Sequence, residues 1–256
     1  QELDENKLAK VVGDKCWGFV EGFPLTGENC RKNMRKIQEY MLNHTRLRIP
    51  CFNVAEALHG SAHEGSTIYP QNIALGSTFN PDLAYRKAKM IAGELHAQGM
   101  KQILAPCVDV VRDLRWGRVE ESYGEDPFLC GLFGIAEVKG YQEQGISPML
   151  KHFGPHGNPL GGLNLASVEC GVRDLHDIYL KPFEMIIKSQ PLKAVMSTYN
   201  SWNRIPNSAS HYLLTDVLRK QWGFTGYVYS DWGAIEMLQT FHHTANSPEE
   251  CALQAL

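Results

Sequence analysis

Residues 50–60 read Pro50-Cys51-Phe52-Asn53-Val54-Ala55-Glu56-Ala57-Leu58-His59-Gly60. A short apolar run, 50–54, ends in a turn that carries Glu56 and His59. A dinucleotide-binding fold would place Gly-x-Gly-x-x-Gly directly after its first strand. No such turn follows here, and no phosphate-loop pattern occurs elsewhere in the chain. Working outward, residues 102–108, 147–151, 193–198 and 226–230 form similar short runs. They are almost continuously apolar, as expected of strands buried on both faces.

Helix signals alternate with these runs. Asn80-Pro81 opens a segment to about Gln98, with Asn as N-cap and Pro at the first helical position. Asp126-Pro127 opens a second, to about Gln142. Ser247-Pro248 opens a third, with Glu249 and Glu250 at the positive end of the helix dipole. Apolar spacing predicts further helices over 173–188 and 210–221. Strand–helix alternation implies a parallel α/β sheet. With the nucleotide-binding turns excluded, the expected architecture is a (β/α)8 barrel. The 256 residues suit that size, and no linker or repeat divides them, so 1–256 reads as one domain. Only five alternations are clear, and the last lies near Leu256. The barrel is therefore expected to be incomplete at its C-terminal end, with irregular early strands hidden before Pro50.

Composition narrows the partners. The chain is 43% hydrophobic and 21% charged, with 25 basic against 28 acidic residues and a net charge of −3. That balance is ordinary for a globular protein. It offers no basic excess for nucleic acid and no basic helix for a membrane surface. No apolar run is long enough to span a bilayer. The seven cysteines lack Cys-x-x-Cys spacing, so free, mostly buried thiols are expected rather than a disulfide framework or zinc ribbon. The chain begins at Gln1 without a basic-then-apolar leader, which reads as a removed signal or a fragment. A secreted or periplasmic location is expected. His59, His63 and Glu64 do not make the His-Glu-x-x-His of a zinc helix. His242-His243 reads as a solvated loop, and Asn43-His44-Thr45 fits the glycosylation triplet.

In a parallel barrel, functional groups project from the C-terminal ends of the strands. Each of the five strand candidates ends in polar groups: Glu56 and His59, Asp109 and Arg112, Lys151-His152, Tyr199-Asn200, and Ser230-Asp231-Trp232. Carboxylates, cations and an aromatic face at one rim suit a hydroxyl-rich ring. Glycoside hydrolysis needs two carboxyl groups. Asp231 fits the first, with Arg112 and Lys151 expected to keep it ionised. The second is not evident.

These residues also fall in motifs. Glu56-Ala57-Leu58-His59-Gly60 is followed by the run from Ala105-Pro106-Cys107 through Arg112-Asp113-Leu114-Arg115-Trp116-Gly117-Arg118 to Glu121-Ser122-Tyr123-Gly124-Glu125-Asp126-Pro127. Then come Lys151-His152-Phe153, Met196-Ser197-Thr198-Tyr199-Asn200 and Ser230-Asp231-Trp232. In this order, across almost the whole chain, they resemble the N-terminal barrel domain of family 3 glycoside hydrolases, in the β-glucosidase and β-xylosidase branch.

The resemblance implies a retaining, exo-acting β-glycosidase working on terminal β-linked sugars of oligosaccharides. Glucose is the first expectation. Xylose is the second, since Glu at 56 would crowd a hydroxymethyl group. A catalytically incomplete carbohydrate-binding barrel is a third reading. The resemblance assigns Asp231 as nucleophile and Glu56, Arg112, Lys151 and His152 as partners of the sugar hydroxyls. Tyr199 would stand beside the nucleophile, with Met196 and Trp232 in the pocket wall. Arg118 and Glu121 are expected to be structural parts of their loop. No metal or cofactor is implied. In most two-domain members the acid/base is a glutamate of a second, sandwich domain, so that group is expected to lie outside this chain. His156, in a Gly- and Pro-rich loop, lacks the Asp-Ser-His context of single-domain members that use a histidine.

Overall fold

The computed structural model describes residues 3–21 and 27–256; Gln1 lies outside them. The elements in chain order begin with α1 (Glu5–Val12), β1 (Phe19–Glu21), α2 (Gly27–His44), β2 (Phe52–Ala55), α3 (Asn72–Gly76), α4 (Pro81–Ala97) and β3 (Gln102–Ile103). They continue with α5 (Pro127–Glu143), β4 (Ser147–Phe153), α6 (Val172–Asp174), α7 (Lys181–Ser189), β5 (Ala194–Ser197) and a two-strand hairpin, β6 (Ser201–Trp202) with β7 (Ile205–Pro206). A wide helical segment, Tyr212–Gln221, leads to β8 (Tyr227–Ser230), α8 (Met237–Thr240) and α9 (Pro248–Ala255).

Six strands form one all-parallel sheet in the order β1-β2-β3-β4-β5-β8. The sheet curls so that its two edge strands face each other. The rings of Phe19 on β1 and Tyr229 on β8 lie 4.8 Å apart, and those of Phe52 and Tyr227 lie 5.7 Å apart. The result is a partly closed barrel, as the strand–helix alternation implies.

Strand alternation sorts the side chains. Val54, Leu104, Met149, Ala194 and Met196, with Tyr227 and Tyr229, form an apolar cluster inside the barrel. Their neighbours Leu150, Val195 and Val228 point outward and pack under the helices. Continuing the same alternation, the inward-facing residues at the C-terminal ends are Glu21, Glu56, Lys151 and Asp231. A packed floor therefore carries a polar rim.

The three signalled helix starts form as read. Asn80 caps Asp82 N–H, Asp126 caps Leu129 N–H and Ser247 caps Glu250 N–H, each with Pro at the first helical position. Helices α4 and α5 pack closely. A Cβ at Gly140 would stand 2.6 Å from the Tyr85 carbonyl, so only glycine fits there. Two expectations change in detail, and a third is met. The run 102–108 forms a continuous strand only at Gln102–Ile103, with a separate parallel bridge from Cys107 to Lys151; Pro106, between them, has no N–H to give a ladder. The helix read over 173–188 breaks around Leu180 before Pro182. One early strand, β1, does precede Pro50.

Candidate active site

A cavity of about 680 Å³ opens at the polar rim. Asp231, Glu56, Lys151, Met196, Tyr199 and Trp232 all line it. Asp231 follows β8 and is 8% exposed, whereas Trp232 stands at the mouth, 75% exposed. The Asp231 carboxylate is held from one side. Its Oδ1 accepts the Trp232 backbone N–H at 2.7 Å. Its Oδ2 is buried and has no hydrogen-bond partner. The nearest cationic nitrogen is on Arg118, at 3.8 Å, and His152 Nε2 lies at 3.4 Å.

The state of His152 follows from its contacts. The residue sits beneath the cavity with its side chain fully buried. Its Nδ1 is 2.7 Å from Asp109 Oδ2, and its backbone N–H donates to Asp109 Oδ1 at 3.3 Å. Its Nε2 is 2.8 Å from a guanidinium nitrogen of Arg118, which can only donate. Nδ1 must then carry the proton toward Asp109, and Nε2 must accept from Arg118. Burial, then the Arg118 charge, push the imidazole down to about 4, against the pull of Asp109 and Asp231. Burial pushes the Asp109 carboxyl up, but His152 and His156 outweigh it and hold it well below the usual carboxylate range. A neutral His152 thus places no proton between itself and Asp231 Oδ2. That explains how the two atoms lie close without a hydrogen bond.

Lys151 and Glu56 also line the cavity. Lys151 Nζ donates to Glu56 Oε1 at 2.5 Å, and Glu56 Oε2 is buried without a hydrogen-bond partner. Burial lowers the lysine's affinity for its proton, but Glu56 more than restores it. Near the Lys151–His152 peptide bond, which is cis, the pairing of β4 with β5 shifts register between Leu150 and Phe153. Strict alternation lapses there: Lys151 lines the cavity, while His152 lies beneath it.

Arg112 and His152 are the exceptions among the expected residues: His152 lies beneath the cavity and does not line it, and Arg112 stands away from it. Arg112 is exposed, and its backbone N–H donates to the Gly157 carbonyl at 2.8 Å. Arg118, expected to be structural, takes the place assigned to Arg112. The loop turns between them, because Trp116 is buried and its indole N–H donates to Asn164 Oδ1. Arg118 is then aimed inward and forms a two-bond pair with Glu121, at 2.6 and 2.9 Å, which also lines the cavity. Burial pushes the Glu121 carboxyl up, but Arg118 brings it below its ordinary value. The Trp-Gly-Arg-x-x-Glu spacing, an arginine three residues before a glutamate, was the available signal.

Other histidines fall elsewhere. His156 is 1% exposed, edge-on to Trp116 and His152, and does not line the cavity. His59 contacts the Tyr69 carbonyl, while His63 contacts Ser61 and Cys30, so the two do not share a ligand site. His242 is not a solvated loop residue: its Nε2–H donates to the Tyr199 carbonyl at 2.8 Å. Among the described residues, Cys107, Asp109 and His152 are grouped closely enough for a metal. Their contacts are mutual, however. The Cys107 thiol, kept protonated by burial, donates to Asp109, whose oxygens already serve His152. All seven cysteines are free. No described helix is long and apolar enough to cross a membrane.

The glycosyl hydrolase family 3 N-terminal domain profile matches residues 10–256. A β-xylosidase of Formosa agariphila is 35% identical over 225 residues, covering 82% of this chain and 31% of that protein. A periplasmic β-glucosidase of Salmonella typhimurium is 34% identical over 232 residues, covering 88% of this chain and 30% of that protein. The solved structure of a β-glucosidase from Erythrobacter marinus superposes with a TM-score of 0.94 at 30% identity, over 98% of this chain and 35% of that one. The chain spans about a third of the length of these relatives.

Proposed function

The chain belongs to glycosyl hydrolase family 3, and from that premise we propose that it supplies the sugar pocket and the nucleophile of a retaining, exo-acting β-glycosidase. The observation that carries this reading is Asp231 Oδ2, buried at the cavity with no hydrogen-bond partner while Oδ1 is fixed by a backbone N–H. Oδ2 attacks the anomeric carbon, forming a C–O bond as the bond to the leaving oxygen breaks. Water then cleaves the glycosyl ester and releases the sugar with its configuration retained. Glu56, Lys151 and Arg118 hold hydroxyls, Arg118 replacing Arg112, while His152 supports Arg118 from beneath the cavity. Met196, Tyr199 and Trp232 form the wall around the ring.

The leaving oxygen needs a proton. Of the other carboxyl groups lining the cavity, Glu121 is committed to Arg118, Glu56 to Lys151, and Glu21 has Glu56 and Lys151, not Asp231, as its charged neighbours. We therefore assign the acid/base to a second domain outside these 256 residues. Glucose is the first substrate and xylose the second, in keeping with relatives named β-glucosidase and β-xylosidase. The periplasm or the cell exterior is the proposed location.

The test uses 2,4-dinitrophenyl β-glucoside and β-xyloside, whose leaving group needs no acid. The expected result is dinitrophenolate release that Asp231→Asn abolishes, with the β-anomer as first product by NMR. Release unaffected by Asp231→Asn would overturn the assignment. A large xyloside preference would replace glucose by xylose. Sugar binding without any release would make the chain a binding module.

A further inference from the structure

We infer that Glu21 is a further sugar-contacting residue, which acts with Glu56 and Lys151 on hydroxyl groups at the end of the ring away from the bond that breaks. The inference rests on the cavity being a sugar pocket.

Three observations carry it. The first is position. Glu21 is the inward-facing residue at the C-terminal end of β1, the place that Glu56, Lys151 and Asp231 occupy on their strands. Val20 turns outward into the core under the helices, while Phe19 and Glu21 line the cavity. The second is availability. Beyond its place in the β1–β2 ladder, the Glu21 side chain makes no hydrogen bond or ion pair among the described residues, so its carboxylate oxygens are not used to hold the fold. The third is location within the cavity. Its charged neighbours are Glu56 and Lys151, whereas Asp231 is surrounded by Arg118, His152 and Tyr199. Glu21 thus lies on the Glu56 side and is poorly placed to protonate the leaving oxygen.

The surroundings give it a particular chemistry. Half-burial, then the Glu56 charge, raise its carboxyl to about 7, with Lys151 opposing. The groups facing it are Glu56 after β2, Lys151 on β4 and Tyr229 on β8. The Tyr229 phenol is itself pushed up by burial and stays neutral. Near neutrality Glu21 can donate one hydrogen bond and accept another, which suits a hydroxyl that must also do both. Glu56 Oε2, buried and without a partner, stands ready for the same or the adjacent hydroxyl.

The test compares Glu21→Ala and Glu21→Gln with the unaltered chain in dinitrophenyl glycoside hydrolysis across pH 5–9. Glu21→Ala is expected to raise KM about tenfold, the effect of one lost hydrogen bond, with kcat within about threefold. KM of the unaltered chain is expected to change through an inflection near pH 7 that is lost in Glu21→Gln. KM within about twofold in Glu21→Ala, with the inflection intact in Glu21→Gln, overturns the inference. If Glu21→Ala does not fold, the inflection in Glu21→Gln decides alone. If the unaltered chain releases no dinitrophenolate, the enzymatic reading fails separately. NMR titration with glucose and xylose then decides on Glu21: weaker binding in the variants supports it, and unchanged or absent binding overturns it.

Discussion

Among the lysine–glutamate pairs of the described residues, two with a buried lysine lie at different depths. Lys87 on α4 meets Glu137 on α5, and their side chains are 3% and 0% exposed. Lys151 and Glu56 meet at the barrel rim, where the side chains are 4% and 37% exposed. The chemistry is the same, yet the surroundings assign different work. Lys87 also donates to Asn72 Oδ1 at 2.7 Å and to the Leu58 carbonyl at 3.2 Å, and Asn72 in turn donates to the Glu121 carbonyl at 2.9 Å. The inner pair therefore pins the loops that present Glu56 and Glu121. The rim pair is itself presented and keeps a carboxylate oxygen free. One pair builds the site that the other belongs to.

Breaking each pair in turn tests the contrast. Lys87→Met leaves Glu137 as an uncompensated buried charge, and a loss of about 3–5 kcal/mol in unfolding free energy is expected. Denaturant titration measures it. Lys151→Met is expected to cost less stability but about 100-fold in kcat/KM for the dinitrophenyl glycosides, since its charge serves the cavity. Equal stability losses in the two variants would erase the distinction.

Arg112 and Arg118, both in the loop after β3, extend the comparison. Arg118→Gln is expected to lower kcat/KM about 10- to 100-fold, through lost contact and through the freed His152 Nε2. Arg112→Gln is expected to stay within about twofold, because its side chain faces solvent. Reversed effects would restore Arg112 to the site.

A further expected effect is one of pH. His152 is held neutral in the fold, down to about 4 from an ordinary 6.5. The unfolded chain therefore binds more protons than the folded one between these values. Stability from this group is complete above pH 6.5 and falls as pH drops toward 4. The depressed Asp109 acts in the same direction at lower pH, below its ordinary 3.8. Denaturation midpoints between pH 7 and 4 measure the slope, and His152→Gln should flatten it.

Much of this was legible in the sequence. The N-caps with Pro, the apolar runs and the polar strand ends each follow from local chemistry, so the parallel sheet and most rim residues could be read directly. Glu21 could not be found this way: a three-residue strand gives too little alternation to register. Arg112 and Arg118 are alike in sequence, and only the buried Trp116 decides which one turns inward. The role of Asp109 depends on a contact with His152 across 43 residues, which no spacing rule reveals.

The central claim is that Asp231 is the attacking group. Incubation with a 2,4-dinitrophenyl 2-deoxy-2-fluoro-β-glycoside, followed by proteolysis and mass spectrometry, tests it most directly. The 2-fluoro group slows release of the glycosyl ester, so the adduct should accumulate. One fluorosugar on the peptide carrying Asp231, absent in Asp231→Asn, is the expected result. An adduct on another residue, or none while the sugar still binds, would contradict the account.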